Sequence, residues 1–258
     1  MEIIIKIAVC FFAGVGAGLG TGFAGMSAAA IISPVLITFL GMPAYDAVGI
    51  ALASDVLASA VSAFTYRRNG NLDVKNGMVM MVFVLLFTMA GSYVASLLPD
   101  STMGNFSVCM TMLLGVKFIL KPVMTTREAM ESAPMGVRMI KSARGGTGIG
   151  FICGFVGAGG GLMMLLVLTS MLGYELKTAV GTSVFIMSFT ALTGALSHFG
   201  IGGMPDAVTL VLCVVFTLIW ARIASKIANK VDNRTLNRAT GVILLILGAV
   251  VLGVGLIK

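Results

Sequence analysis

An all-α fold is predicted: a polytopic transmembrane helical bundle made of two homologous repeats, each containing a glycine-broken helix. Three observations predict it. The chain of 258 residues is 58% hydrophobic and only 10% charged, against about one quarter charged in soluble domains. Apolar stretches recur along the whole length, each near the ~20 residues that cross a hydrocarbon core. Displacing the sequence by 132 positions lays residues 22–70 on 154–202 without a gap.

The identities in that overlay are grouped. Gly22, Phe23 and Gly25 fall on Gly154, Phe155 and Gly157; Val35 and Leu36 on Val167 and Leu168; Leu40 and Gly41 on Leu172 and Gly173; Ala47, Val48 and Gly49 on Ala179, Val180 and Gly181. A glycine-rich turn, a helix end and a helix start thus recur together. One membrane domain, 1–258, follows, with repeat one at 1–120, a basic cytoplasmic linker at 121–145 and repeat two at 146–258. The linker is the longest charge-rich stretch and is too short to bury a core of its own. The hydrophobic start, Met1 to Leu19, runs on towards Leu40 without a cleavage signal and is read as mature chain.

Each half opens with a broken segment followed by three ordinary hydrophobic helices. The expected bounds are 3–41, 44–66, 76–98 and 103–120 in the first half, and 146–172, 178–199, 207–225 and 236–257 in the second. Loop charges orient them, because Lys and Arg favour the cytoplasmic side of short loops. The loop holding Arg67, Arg68 and Lys75 has a counterpart, Gly200 to Asp206, with no Lys or Arg; the next pair reverses this, with only Asp100 in one and Lys226, Lys230, Arg234 and Arg238 in the other. Opposite bias in matching loops points to inverted repeats. Inversion needs an odd number of crossings per half, so the broken segment is expected to be re-entrant. The alternative is four full spans per half in parallel.

GFVGAGGG, Gly154 to Gly161, puts five glycines in eight residues, each weakening a helix by about 1 kcal/mol relative to alanine. Broken backbone at membrane depth survives only when buried in protein or lining a cavity. A half-helix starting after such a break aims its N-terminal amides inward, as an anion site does. GFAGMSAA, Gly22 to Ala29, keeps the break in the first half, and the two are expected to meet near the midplane. Close helix packing is the plainer use of the glycines. The candidate substrate-binding residues are Gly25, Met26, Ser27, Gly157, Ala158, Gly159, Gly160 and Gly161. Thr182 and Ser183 join them as hydroxyls at a helix start, which either bind oxyanion oxygens or bond the preceding turn.

Asp55 lies mid-helix, where an ionised carboxylate is expensive. It is a candidate for coupling or gating, or a structural acid paired with Lys117, Ser54 or Ser59. Asp46, near a helix start, complements the helix dipole. His198 reads as an interfacial residue, and Cys10, Cys109, Cys153 and Cys213 as buried, with no C-x-x-C spacing. No metal, cofactor, nucleotide-loop or hydrolase motif is present, so neither an enzyme nor a cofactor is expected. The net charge of +7 sits in short loops, which fits a membrane and not a nucleic acid.

The order of GFAGMS, AVGIA (Ala47 to Ala51) and YRRNGNLD (Tyr66 to Asp73) in one half, with GFVGAGGG and AVGTS (Ala179 to Ser183) in the other, resembles the sulfite exporter TauE/SafE family of membrane permeases. The likeness covers both halves. It implies a multi-pass protein of the inner (plasma) membrane carrying sulfite or another sulfur-containing or organosulfonate anion as a secondary transporter driven by an ion gradient or the membrane potential; the reading of Asp55 makes protons a candidate coupling ion. Met26, Ser27, Ala28 and Ala29 stand where the family often has glycines, and Asp55 is unusual for it. A non-transporting assembly or scaffold protein is the alternative reading; transport of a cation or neutral solute through carbonyl ends and Asp55 is a third.

Overall fold

A computed structural model describes residues 2–95, 112–113, 115–126, 128, 134–156 and 160–256, and the described residues are helical apart from short connections. The helices are α1 (Glu2–Ala24), α2 (Ala29–Leu40), α3 (Ala44–Arg68), α4 (Val74–Ala95), α5 (Met135–Val156), α6 (Gly160–Ser170), α7 (Leu176–Gly202), α8 (Ala207–Lys230) and α9 (Asn233–Leu256). Five of these, α1, α3, α7, α8 and α9, are long and apolar enough to cross a membrane. The multi-pass all-α fold expected from composition is therefore present.

Local chemistry sets the ends. Gly41 and Gly173, one repeat apart, both take the left-handed conformation (φ 60° and 68°) that closes a helix without a Cβ clash. Pro43 stands before α3, with Asp46 in its first turn and Arg67 and Arg68 in its last, each complementing the helix dipole. Asp206 caps α8 by accepting from the Thr209 amide at 3.1 Å. Thr209's hydroxyl and amide hold the Asp206 carboxyl below the usual carboxylate range. Asp232 caps α9 in the same way through the Thr235 amide at 3.0 Å.

Contacts give the directions. Gly14, Gly18 and Gly22 of α1 lie against Phe216, Trp220 and Ala224 of α8, so these helices run parallel. Gly146 and Gly150 of α5 lie against Met80 and Val84 of α4, again parallel. Gly14 and Gly18 are 132 residues before Gly146 and Gly150, so the repeat reaches further towards the N-terminus than the gapless overlay. The matched helices α3 and α7 run antiparallel: Tyr45 stacks on His198 at one end, and Tyr66 meets Gly181 at the other. After α1 the chain turns back, bringing Ile31 of α2 beside Gly16; after α5 it turns back too, bringing Val167 of α6 and then Leu172 beside Gly145. Two helical hairpins result, and each packs its long arm on a helix of the other half.

Two boundaries differ from the sequence reading. The hairpin arms are unequal, 23 and 12 residues in the first and 22 and 11 in the second. Each long arm, at 1.5 Å per residue, reaches ~33 Å or more, beyond the half-thickness expected of a half-helix. The second long arm starts at Met135, so residues 135–145 of the stretch read as linker are helical. Arg138, Lys141 and Arg144 recur there every three residues, and Arg138 is held by Asp73 in an ion pair; charge density read as loop is one face of a helix. The span expected near 103–120 lies largely outside the described residues, with 112–113 and 115–120 helical.

Candidate functional site

The hairpin tips meet in the protein interior. At the first tip, Gly25 ends α1 with φ 60°, and Ala24 to Ala29 are all buried. A helix that ends inside apolar surroundings leaves carbonyls that need donors. Side chains from four helices supply them. Tyr66 of α3 donates its hydroxyl to Gly22 O at 2.8 Å, Thr240 of α9 to Phe23 O at 3.1 Å, Ser183 of α7 to Gly25 O at 2.9 Å, and Thr21 of α1 to Met26 O at 2.9 Å.

Beyond the tip, α2 begins. Ser27 Oγ accepts from the Ala29 amide at 3.3 Å and donates to Asp55 Oδ2 at 2.6 Å. Ser59 Oγ donates to Asp55 Oδ1 at 2.8 Å, and the Ala28 backbone also hydrogen-bonds the carboxylate. Asp55 is fully buried. Its acceptor atoms are thus met by two serines and by the amide end of α2. The pairings with Lys117 and Ser54 do not occur, since Lys117 bonds Ser170, and Ser54 bonds Ile50 O at 2.9 Å.

The second tip comes against the first at Gly161, in the first turn of α6. A β-carbon there would lie 2.6 Å from Gly25 O, 3.0 Å from Ser27 N and 2.5 Å from Met187 Sδ. A β-carbon at Gly25 would lie 2.7 Å from Ser183 Oγ. Gly25, Met26, Ser27, Gly161 and Ser183 are therefore one cluster, joined by Asp55. Gly160 begins α6; Gly157, Ala158 and Gly159 lie outside the described residues. Met187, one repeat after Asp55, faces the second tip as Asp55 faces the first.

Thr182 is turned elsewhere. Its Oγ1 accepts from the Asp73 amide at 3.2 Å, in a polar cluster near the ends of α3 and α7. There Asp73 also pairs with Arg138 and accepts from the Tyr174 hydroxyl at 2.9 Å and from Asn76 Nδ2 at 2.7 Å. Burial first, then the Asp73 carboxylate beside it, pushes the Tyr174 hydroxyl up. Asn71 and Asn229, bonded at 2.7 Å, bring the two basic loops, after α3 and after α8, to that same end. His198 lies at the other end, stacked on Tyr45 with ring centroids 4.5 Å apart.

Sequence reasoning named the tips and, among three alternatives, the Ser59 partner of Asp55, and missed Tyr66 and Thr240 as groups that hold the first tip. Thr240 carried no usable signal, being 217 residues from its partner. Tyr66 was visible only as the position matching His198.

Over 201 residues the chain is 23% identical to the probable membrane transporter protein YdhB of Bacillus subtilis (strain 168), covering 78% of this chain and 82% of that one. Over 214 residues it is 25% identical to the probable membrane transporter protein YunE of the same organism, covering 77% and 78%. No solved structure matches it. The sulfite exporter TauE/SafE family model matches residues 10–251, almost the whole chain with both hairpins, and the chain is a multi-pass membrane protein belonging to that family.

Proposed function

We propose that the chain is a secondary permease for a small anion, sulfite or another sulfur-containing or organosulfonate anion, bound where the two hairpin tips meet. One observation carries this reading: two broken helices, one from each half, converge on Ser27, Ser183 and Gly161 in the buried centre. The carbonyls of Gly22, Phe23 and Gly25 are held by hydroxyls, so the groups left to meet an incoming solute are the N-terminal ends of α2 and α6, the first of them occupied by the Asp55 carboxylate. Those ends carry partial positive charge. The antiparallel run of α3 and α7, with both basic loops at one end, supports reading the halves as inverted repeats and each hairpin as re-entrant from its own side. The first tip and Gly161 are buried, so access from either side requires a hairpin to shift against its partner helices.

Uptake of radiolabelled sulfite, thiosulfate and a short organosulfonate into proteoliposomes tests the reading. Native protein is expected to give saturable flux of at least one of them. Gly161→Leu, which drives a side chain into Gly25 and Ser27, is expected to bring that flux down to the level of empty vesicles. Native flux no higher than empty vesicles for all three anions would reject the sulfur-anion permease.

A further inference from the structure

We propose that Asp55 is the proton-carrying group of this permease: its carboxylate fills the N-terminal end of α2 as a tethered anion, and the transported anion displaces it only when it is protonated. The inference rests on the anion-permease reading and adds the coupling ion and its stoichiometry.

The carboxylate makes the contacts an anion would make. It takes the Ser27 hydroxyl at 2.6 Å, the Ser59 hydroxyl at 2.8 Å and the backbone of Ala28. These are the donors offered where the first broken helix restarts. An external anion arriving at that end meets an ionised group already holding its donors, and two like charges in a buried, poorly screened site repel strongly. Protonation removes the charge and frees Ser27. By linkage, a site that accepts the anion only in the protonated form takes up a proton as it binds.

No cation does this work instead. Among the described residues Asp55 makes no ion pair. The helices packed on α3 are α1, α2, α7 and α8, and the titratable groups on them whose side chains are described face elsewhere. On α1, Lys6 pairs with Asp206, and Cys10 bonds Cys213 of α8. α2 has none. On α7, Lys177 bonds Asn229 O, and His198 stacks on Tyr45. On α8, Arg222, Lys226 and Lys230 are exposed. On α3 itself, the Tyr66 hydroxyl is given to Gly22 O, and Tyr45, Asp46, Arg67 and Arg68 lie in the first and last turns.

The repeat sets the count. Met187 holds the place of Asp55 in the second half and faces Gly161 with an uncharged thioether. One half supplies a proton acceptor and the other does not, so one proton moves with each anion. For a monovalent anion the cycle is then electroneutral, driven by a pH gradient and indifferent to membrane potential.

The test uses the native chain in proteoliposomes with a radiolabelled short alkanesulfonate, a monovalent probe that stays ionised, and potential clamped at zero. With the outside one pH unit more acid, native protein is expected to accumulate the probe to about tenfold over equilibrium. Asp55→Asn is expected to accumulate no probe above equilibrium, whatever exchange it retains. Accumulation by Asp55→Asn equal to native, or native exchange with no response to the gradient, overturns the proposal while leaving the permease intact. If Asp55→Asn is silent in exchange as well, Ser59→Ala decides. It removes one donor from the carboxylate, so the pH of half-maximal exchange moves upward if Asp55 is the carrier, and an unmoved midpoint overturns it. Native protein that neither exchanges nor accumulates any of the three sulfur anions defeats the permease reading, and the coupling falls with it.

Discussion

Tyr66 shows how much of the site rests on single hydrogen bonds made over long sequence distances. Its hydroxyl is fully buried and reaches Gly22 O across two helices. Tyr66→Phe leaves that carbonyl without its donor, at a cost of about 1–3 kcal/mol. The expected result is a lower thermal midpoint in detergent; an unchanged midpoint would mean that the carbonyl is satisfied some other way. At this scale the sequence was legible where a residue announces an anomaly. Asp55 in an apolar helix and five glycines in eight residues both did so. Partners were not legible, because nothing in the local pattern around Asp55 distinguishes Ser59 from Ser54, and Ser27 lies on another helix.

Between elements, glycine is the material of contact. A β-carbon on Gly18 would lie 2.6 Å from Trp220 Cβ, and one on Gly150 2.6 Å from Val84 O, whereas Gly148 has nothing within 4 Å. Gly18→Leu and Gly150→Leu are therefore expected to destabilise by ~1–3 kcal/mol or more through overpacking. Gly148→Leu on the same helix as Gly150 is expected to be neutral or slightly stabilising. Thermal melts of the three variants check this, and equal losses in all three would show that helix propensity and not packing controls the effect. The helices themselves were readable from hydrophobic runs and turn glycines. The start of α5 was not, since residues 135–145 intersperse charge among apolar side chains, and the ion pair of Arg138 with Asp73 is made across the fold.

For the molecule as a whole, the antiparallel pair α3 and α7 separates two ends. Asn69 and the basic loops lie at one, Met204 at the other, and both residues are exposed. Basic loops favour the cytoplasm. In a chain whose native cysteines are replaced, Met204→Cys is expected to react with an impermeant maleimide from outside the cell. Asn69→Cys is expected to react only after permeabilisation. Labelling of both from one side would reject the inverted arrangement. Loop charge is the sequence feature that bears on orientation, and it could not show the unequal arms, which depend on where each tip meets its partner.

The parallel pairing of α1 with α8 also has a consequence for how the chain is made. Phe216 leaves the ribosome about 200 residues after Gly14, which at 5–20 residues per second is a delay of about 10 to 40 s. Throughout that interval the glycine face of α1 has no mate and Phe23 O lacks Thr240, and for most of it Gly25 O lacks Ser183, the hydroxyls that later hold them. Bare carbonyls of this kind are not stable in lipid. The first hairpin therefore waits at the wet face of the bilayer, or within the insertion machinery, and is the first segment translated but among the last to take its final depth.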